Sequence, residues 1–449
     1  MRVAVIGAGI IGVTTAWELA ADGHEVTVFE RRGSVAAETS FANAGVVAPG
    51  YVTPWAAPGM PTKVLGHLLN RHAPVRVHAN LSAGEIAWMW RWWRACTLRT
   101  YQANRLRMQR LAYFSRERLH RLTRDLKLDY ERSDGYLVLL RTAKDHAMVQ
   151  PGLASLAELN TRFEMLDAAQ CRAIEPGLSD ETPLHGGVHL PDDEVGNCRQ
   201  FTTLLRAEAQ RVGVRFRFHT QVQKIIPGKA PQLVHLYAPP EESTLLLSAA
   251  GESAPNDAQD TQPMALHAIT ESVDAIVVCA ALDSAALLRP HGLKLPMQAV
   301  YGYSITAPLR RVEAHGDIGP RSALMDERYK VAISRLGARV RVAGSAEIGG
   351  SATRHNPKAL ETLYKVLHDW FPGAARLSQA QVWKGARPML PDGPPVIGRS
   401  GIDGVWLNLG HGSSGWALSC GSARLLADSV AGSTPPIDTE GLGVERLHD

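Results

Sequence analysis

Cysteine is sparse and scattered in this chain. Cys96, Cys171, Cys198, Cys279 and Cys420 include no C-x-x-C pair, so neither a disulfide framework nor a zinc or other metal site is written in the sequence. A reducing compartment, the cytoplasm, is therefore expected. Long apolar runs are also missing: the best, near Val273 to Leu282, falls short of the ~18 residues a spanning helix requires, so no integral membrane protein is expected. Residues 1–13, MRVAVIGAGIIGV, resemble the core of a signal peptide. Three glycines at motif spacing and the lack of a small-residue cleavage site make them read as mature structure instead. Excess charge of one sign is missing as well. Against 44 acids stand 48 Lys and Arg, a net +4 that gives no reason to expect nucleic-acid binding. Low complexity and internal repeats are absent, since 40 glycines and 27 prolines in 449 residues lie below the ~25–30% that marks such chains. What remains is 45% hydrophobic and 20% charged, an ordinary globular composition long enough for one to three domains of ~150 residues.

The first thirty residues carry the plainest organisation. Val3 to Ile6 is a β-branched run ending at glycine, Ile10 to Ala21 reads as a helix stopped by Asp22-Gly23, and Val26 to Phe29 resumes as strand. Strand, helix and strand form a right-handed βαβ unit, the start of a parallel, doubly wound sheet. Pieces of the same kind recur far along the chain. Arg199 to Val212 reads as helix, Val214 to Phe218 and Val273 to Cys279 as strands, Val405 to Leu409 as strand and Ser413 to Val430 as helix. Between them lie a helical block, Leu81 to Leu126, and strand-like runs at Tyr136 to Leu140, Val300 to Thr306 and Arg339 to Ala343. The expected fold is α/β, a Rossmann-like dinucleotide-binding domain interleaved with a mixed-sheet α+β substrate domain. The first takes residues 1–47, 185–290 and 385–432, the second 48–184 and 291–384, and 433–449 form a tail. Pro227 to Pro263, with six prolines, reads as a loose insertion without recognisable chemistry.

Gly7-Ala8-Gly9-Ile10-Ile11-Gly12 is G-x-G-x-x-G placed between a strand and a helix, with Glu30 at the end of the second strand. Gly7 permits the tight turn, Gly9 lets amides approach a pyrophosphate, and Gly12 allows close helix packing. The helix N-terminus stabilises the phosphate charge. Glu30 suits the ribose hydroxyls and would repel a 2′-phosphate. The expected cofactor stretch is Val3, Ala4, Val5, Ile6, Gly7, Ala8, Gly9, Ile10, Ile11, Gly12, Val13, Thr14, Thr15, Ala16 and Trp17, with Glu30 and Arg31. NAD and FAD share this fingerprint. The small polar run after the second strand, which includes Ser40, Asn43, Ala44 and Gly45, leaves room for a larger ligand. Gly410, His411, Gly412, Ser413, Ser414 and Gly415 join the last strand to the last helix, a second anion site of the kind that stabilises a reduced flavin. His411 is read as positional rather than catalytic. Arg387, in the proline-bounded run WKGARPMLPDG, is a candidate anchor for a substrate carboxylate, the alternative being an ion pair with an internal acid such as Asp392. Tyr303, in Tyr301-Gly302-Tyr303-Ser304, is a weaker candidate to close over the substrate.

Taken together, the strings VAVIGAGIIG, ETSFANAG, PGYVTPWAAPG, LPDDEVGNC, DERYKVAISR, GARPMLPDGPPVIG and LNLGHGSSGW resemble the D-amino acid dehydrogenase family, within the wider glycine and D-amino acid oxidase superfamily of flavoenzymes. The resemblance covers nearly the whole chain. It implies noncovalent FAD between the two domains, and oxidative deamination in which hydride passes from the α-carbon of a D-amino acid to flavin N5 and water hydrolyses the imino acid to a 2-oxo acid and ammonium. It further implies that Arg387 holds the substrate carboxylate, that Tyr303 lines the pocket, and that electrons pass to a quinone or another respiratory acceptor beside a bacterial inner membrane. His189, in GGVHLPDD, departs from the pattern. Three other readings stand beside this one. They are oxidation of secondary amino acids such as sarcosine or hydroxyproline, a flavin-binding electron-transfer protein without turnover, and an NAD-dependent dehydrogenase.

Arg91 to Arg124 contains ten arginines and a single acid, Glu117, interleaved with Trp92, Trp93, Tyr101, Tyr113 and Phe114. Two readings are open: a face that docks on an anionic membrane near a quinone, or a helix pair with core aromatics and solvated arginines.

Overall fold

In the computed structural model, which describes residues 1–67, 70–158, 161–237, 268–310 and 318–447, two sheets divide the chain. The smaller, six-stranded sheet runs in the order Val396–Arg399, Val405–Leu409, Ala275–Val278, Arg2–Ile6, Glu25–Phe29 and Arg215–Arg217. All its neighbours are parallel except the first pair. Near-continuous apolar strands suit a sheet covered on both faces. On one face the helices Ile10–Ala21, Cys198–Arg211 and Gly415–Ala431 build a core around Val5, Leu19, Val28, Phe201 and Leu426. The other face departs from the doubly wound expectation. A three-stranded antiparallel sheet, Thr220–Ile226, Gln232–Tyr237 and Ile269–Ser272, packs Val222, Ile225 and Leu233 against Ile6, Ile276 and Leu407, where a second helical layer was expected. Most of the proline-rich insertion lies outside the described residues.

The larger sheet has ten strands and is mixed. Its main order is Gln381–Met389, Gln298–Pro308, Arg339–Ile348, Val331–Leu336, Ala323–Asp326, Ser133–Leu140, Gly186–Val195 and Val46–Val47. The amphipathic helix Pro357–Trp370 covers one face, burying Leu363, Val366 and Trp370 against Tyr303, Ile305 and Val342. Three expected boundaries move accordingly. Gly186–Val195, Val46–Val47 and residues 385–389 belong to the larger sheet, because each hydrogen-bonds there and none reaches the smaller one.

The arginine-rich helix Leu98–Asp125 packs on Gly415–Ala431 and is tied to the dinucleotide half by ions. Glu18, fully buried, accepts from Arg118 Nε and Nη2, both at 2.7 Å, and from Arg424 at 3.0 Å.

Candidate functional site

A long cleft opens at the carboxyl ends of the parallel strands, the position where open α/β sheets bind ligands. It is lined by Gly7, Gly9, Ile10, Glu30, Arg31, Ser40, Asn408, Gly410, His411, Gly412 and Gly415, among others. Sterics explain the glycines. Gly7 has φ +102°, and a Cβ there would lie 2.7 Å from the Cys279 carbonyl oxygen; at Gly12 it would lie 1.9 Å from the Gly7 carbonyl oxygen. The Ile10 amide donates to Ser40 Oγ at 3.1 Å, so a residue thirty positions away helps cap the helix that opens on the cleft. Glu30 accepts from the amides of Ala8 at 2.7 Å and Arg32 at 2.8 Å, and burial pushes its carboxyl up against the pull of those donors.

The rest of the stretch from Val3 to Trp17 supports the cleft from behind. Val3, Val5, Ala8, Val13 and Ala16 are core, with Trp17 packed against them, while Ala4 is core on the opposite face. Thr14 and Thr15 hydroxyls return to the carbonyls of Ile10 and Ile11. Sequence reasoning passed over Thr220, Gln221, Val222 and Gln223, on the strand that crosses the mouth of the cleft. Their alternation is that of any half-buried strand. It also passed over Asn408, whose Nδ2 donates to Thr15 at 2.9 Å while its buried Oδ1 has no protein partner. An asparagine inside the otherwise apolar strand Val405–Leu409 was the available signal.

Asn43, Ala44 and Gly45 do not border the cleft's outer part; they bridge the two sheets. Ser304 donates to the Ala42 carbonyl at 2.8 Å, Arg341 to that of Asn43 at 3.0 Å and Ser334 to that of Ala44 at 2.7 Å. Three successive carbonyls are thus held by side chains of one face of the larger sheet, and Trp416 Nε1 donates to the fourth, at Gly45, at 3.1 Å. At the cleft wall, His411 is buried, and its Nε2 lies 3.0 Å from Ser422 Oγ. The Ser422 hydroxyl donates to the Leu418 carbonyl at 2.6 Å, so the imidazole is the donor to Ser422 and keeps Nδ1 as an acceptor. Burial pushes its pKa down to about 3. Ser413 is exposed at the turn and Ser414 precedes the helix, while the glycines at 410, 412 and 415 face the cleft.

Arg387 and Tyr303 part company. In the ladder between Gln298–Pro308 and Gln381–Met389, Val300 pairs with Arg387, Gly302 with Gly385, Tyr303 with Lys384 and Ser304 with Trp383. Alternation sends Arg387 and Ser304 to the face that holds residues 42–44, and Tyr303 to the other. There Tyr303 donates to Glu347, which also bonds His78 and accepts from Lys384 at 3.0 Å. The side chain expected to line a pocket is packed under the Pro357–Trp370 helix instead. Arg387 lies flat over Gly302, where a Cβ would come within 2.3 Å of its Nη2, and donates to the Ser345 carbonyl at 2.9 Å. No acid pairs with it among the described residues. Asp392 is taken by Arg446 at 2.9 Å. Loss of solvation pushes the Arg387 pKa down to about 10, leaving a cation that still lacks its counter-ion at neutral pH. His189 lies far along the sheet, 3.8 Å from Glu164.

The glycine turn, the acid and the sheet topology describe a dinucleotide site but leave the cofactor open. The profile of the FAD dependent oxidoreductase family matches residues 2–429. The chain belongs to that family. Its cofactor is FAD, and the enzyme is an oxidoreductase. The residues present fit that group: a cleft bordered by Gly7, Gly410 and Gly412, where a Cβ would clash, a buried Asn408 oxygen lacking a partner among the described residues, and small residues where the two sheets meet. The family member from Rhizorhabdus wittichii described as a D-amino acid dehydrogenase is 42% identical over 99% of this chain and 100% of its own. One of the same description from Cereibacter sphaeroides is 42% identical over 99% and 95%. Among solved structures, glycine oxidase from Geobacillus kaustophilus superposes with a TM-score of 0.71 at 18% identity, covering 99% of this chain and 98% of its own. At that identity the likeness is one of fold.

Proposed function

We propose that this flavoenzyme oxidatively deaminates D-amino acids to 2-oxo acids and ammonium, passing electrons to a quinone or similar acceptor. The observation that carries the reading is Arg387, a guanidinium without an acid partner, laid on the sheet face that grips residues 42–44. A planar cation of this kind takes a carboxylate through two parallel hydrogen bonds, fixing the α-carbon of an amino acid in place. Bound FAD supplies the hydride acceptor. Ser304, Arg341 and Ser334 hold the backbone between cofactor and substrate sheets, so that both partners are positioned by one rigid surface. His411, held neutral by burial, is no general acid at working pH and acts as a spacer that keeps the Gly410–Gly415 turn in shape. The relatives described as D-amino acid dehydrogenases, at 42% identity over the full chain, support the D-amino acid over sarcosine or hydroxyproline.

Anaerobic mixing with paired D- and L-amino acids and with sarcosine tests this. Bleaching of the flavin absorbance by D-isomers is expected. Reduction by sarcosine or L-isomers alone would overturn the substrate assignment.

We further infer a narrower membrane-facing surface than the whole arginine-rich block. Six of its ten arginines are engaged within the protein: Arg107 by Glu440, Arg110 by Asp438, Arg116 by Asp193, Arg118 by Glu18, and Arg121 and Arg124 by Asp125. The helix Ala83–Ala95 differs. Its Trp88 and Trp92 are buried, whereas Ile86, Trp90 and Trp93 form an exposed stripe continued by Leu98. Arg91, Arg94 and Arg99 flank the stripe without acidic partners among the described residues. Interfacial tryptophans with adjacent arginines suit an anionic bilayer surface. No helix among the described residues is long and apolar enough to cross a membrane.

A further inference from the structure

Gly302 and Gly385 face each other directly across two strands, and this pair shapes the surface beside Arg387. On Gly302 lies the guanidinium. On Gly385 lies the indole of Trp383, so close that a Cβ at 385 would fall 1.8 Å from its Cη2. Strand alternation puts residues 383, 385 and 387 on one face, and Trp383 is the register partner of Ser304, whose hydroxyl holds the Ala42 carbonyl at 2.8 Å. On the outer side of the same strand, Thr39 donates to the Ala386 carbonyl at 2.8 Å. The segment from Thr39 to Ala42 is therefore tied at one end to the strand at 386 and at the other to the face at 304. Trp383 is half-buried, its ring over the glycine that pairs with the one beneath the guanidinium.

We propose that Trp383 is a specificity-determining residue: its indole walls the space next to the Arg387 guanidinium and limits the size of the substrate side chain. This rests on the reading of Arg387 as the carboxylate anchor. A carboxylate held by Arg387 leaves its α-carbon within reach of groups on the same two-glycine floor, and the indole is the large side chain that shares that floor. Because both glycines lack a Cβ, ring and guanidinium lie flat and fix the width between anchor and wall. A rigid aromatic surface discriminates by excluded volume, and each methylene refused is worth about a factor of ten or more in kcat/KM.

The test uses the FAD-loaded enzyme and the variants Trp383→Ala, Trp383→Phe and Arg387→Ala. With a dye acceptor, the ratio of kcat/KM for D-phenylalanine to that for D-alanine is expected to rise at least about tenfold in Trp383→Ala, with flavin content unchanged. An unchanged or lower ratio overturns the wall. A second readout needs no turnover and serves if the alanine variant does not fold. Saturating benzoate, a carboxylate that cannot be oxidised, is expected to quench tryptophan emission in the wild type, and that component is expected to vanish in Trp383→Phe. Undiminished quenching in Trp383→Phe also overturns the proposal. Arg387→Ala separates the two claims. Benzoate affinity unchanged in that variant sinks the anchor, whereas loss of affinity there together with unaltered selectivity in Trp383→Ala sinks the wall alone.

Discussion

At position 387 a charge is placed where no acid among the described residues neutralises it, and stability alone gives no reason for such a choice. Replacing Arg387 by Ala is expected to raise the KM for D-amino acids by about a hundredfold or more, the scale of losing a charge-assisted bidentate pair, while flavin absorbance stays. Lys at 387 recovers part of the loss, having charge without the fork. Steady-state kinetics with a dye acceptor decide the matter, and an unaltered KM in the Ala variant would refute the anchor. Asp193 gives a different residue-scale expectation. It is buried, with Oδ1 3.1 Å from Arg116 and Oδ2 unpartnered, and burial, opposed by Arg116, pushes its carboxyl up to about 7. The unfolded chain ionises this group near the ordinary aspartate value and the folded chain only near 7, so the folded state binds the extra proton in between and its stability falls as pH rises through that window. Asp193→Asn removes the titration. Its melting temperature relative to the parent should climb from about pH 4 to about pH 7 and then level off, with a gain of up to about 4 kcal/mol. A difference that is flat with pH would count against the assignment.

Among the elements, the helix Ala83–Ala95 carries the most information. It is started by a capping box in which Ser82 accepts from the Glu85 amide and Glu85 accepts from that of Ser82, and it has two apolar stripes where one would anchor it. The inner stripe uses Trp88, whose Nε1 donates to the Met389 carbonyl at 2.9 Å, two residues beyond Arg387. The outer stripe meets solvent. If it rests on lipid, the double substitution Trp90→Ser and Trp93→Ser should cut cosedimentation with anionic vesicles by about tenfold or more, given the apolar area that two indoles withdraw from water, and leave dye-linked activity intact. Equal binding of parent and variant, or equal binding to neutral and anionic vesicles, removes the docking face. The arginines of Leu98–Asp125 mislead because a helix of 28 residues shows its charges in sequence but not their partners: Glu18, Asp193, Asp438 and Glu440 come from three distant segments.

Over the whole molecule, the cofactor cleft is built from pieces as far apart as Gly7 and Gly415, and the larger sheet is tied beside it through residues 42–45. A ligand that spans such a seam stabilises the folded chain by mass action. Excess FAD at about a hundred times its dissociation constant should add about 2.7 kcal/mol and raise the melting temperature of flavin-stripped enzyme. The same concentration of NAD should not. Differential scanning fluorimetry reads both, and a larger shift with NAD would contradict the cofactor assignment.

The βαβ start, the phosphate turn, the acid at 30 and the run around Arg387 were legible in the sequence because each depends on local geometry: a positive φ, a helix N-terminus, a proline-bounded strand. Partners at a distance were not. Whether Arg387 met Asp392 or a ligand depended on Arg446 reaching Asp392 from 54 residues away. Tyr303 and Trp383 are aromatic residues near glycines in two strands, and nothing local says which shares a face with Arg387. Register says it: with Gly302 opposite Gly385, one ring turns to the Pro357–Trp370 helix and the other to the guanidinium. Sequence by itself determined that the cofactor is a dinucleotide, through backbone chemistry confined to a few consecutive residues. Only the tertiary structure decided which side chains share a face with the charge, because alternation in a sheet is fixed by pairing between strands and not by the strands alone.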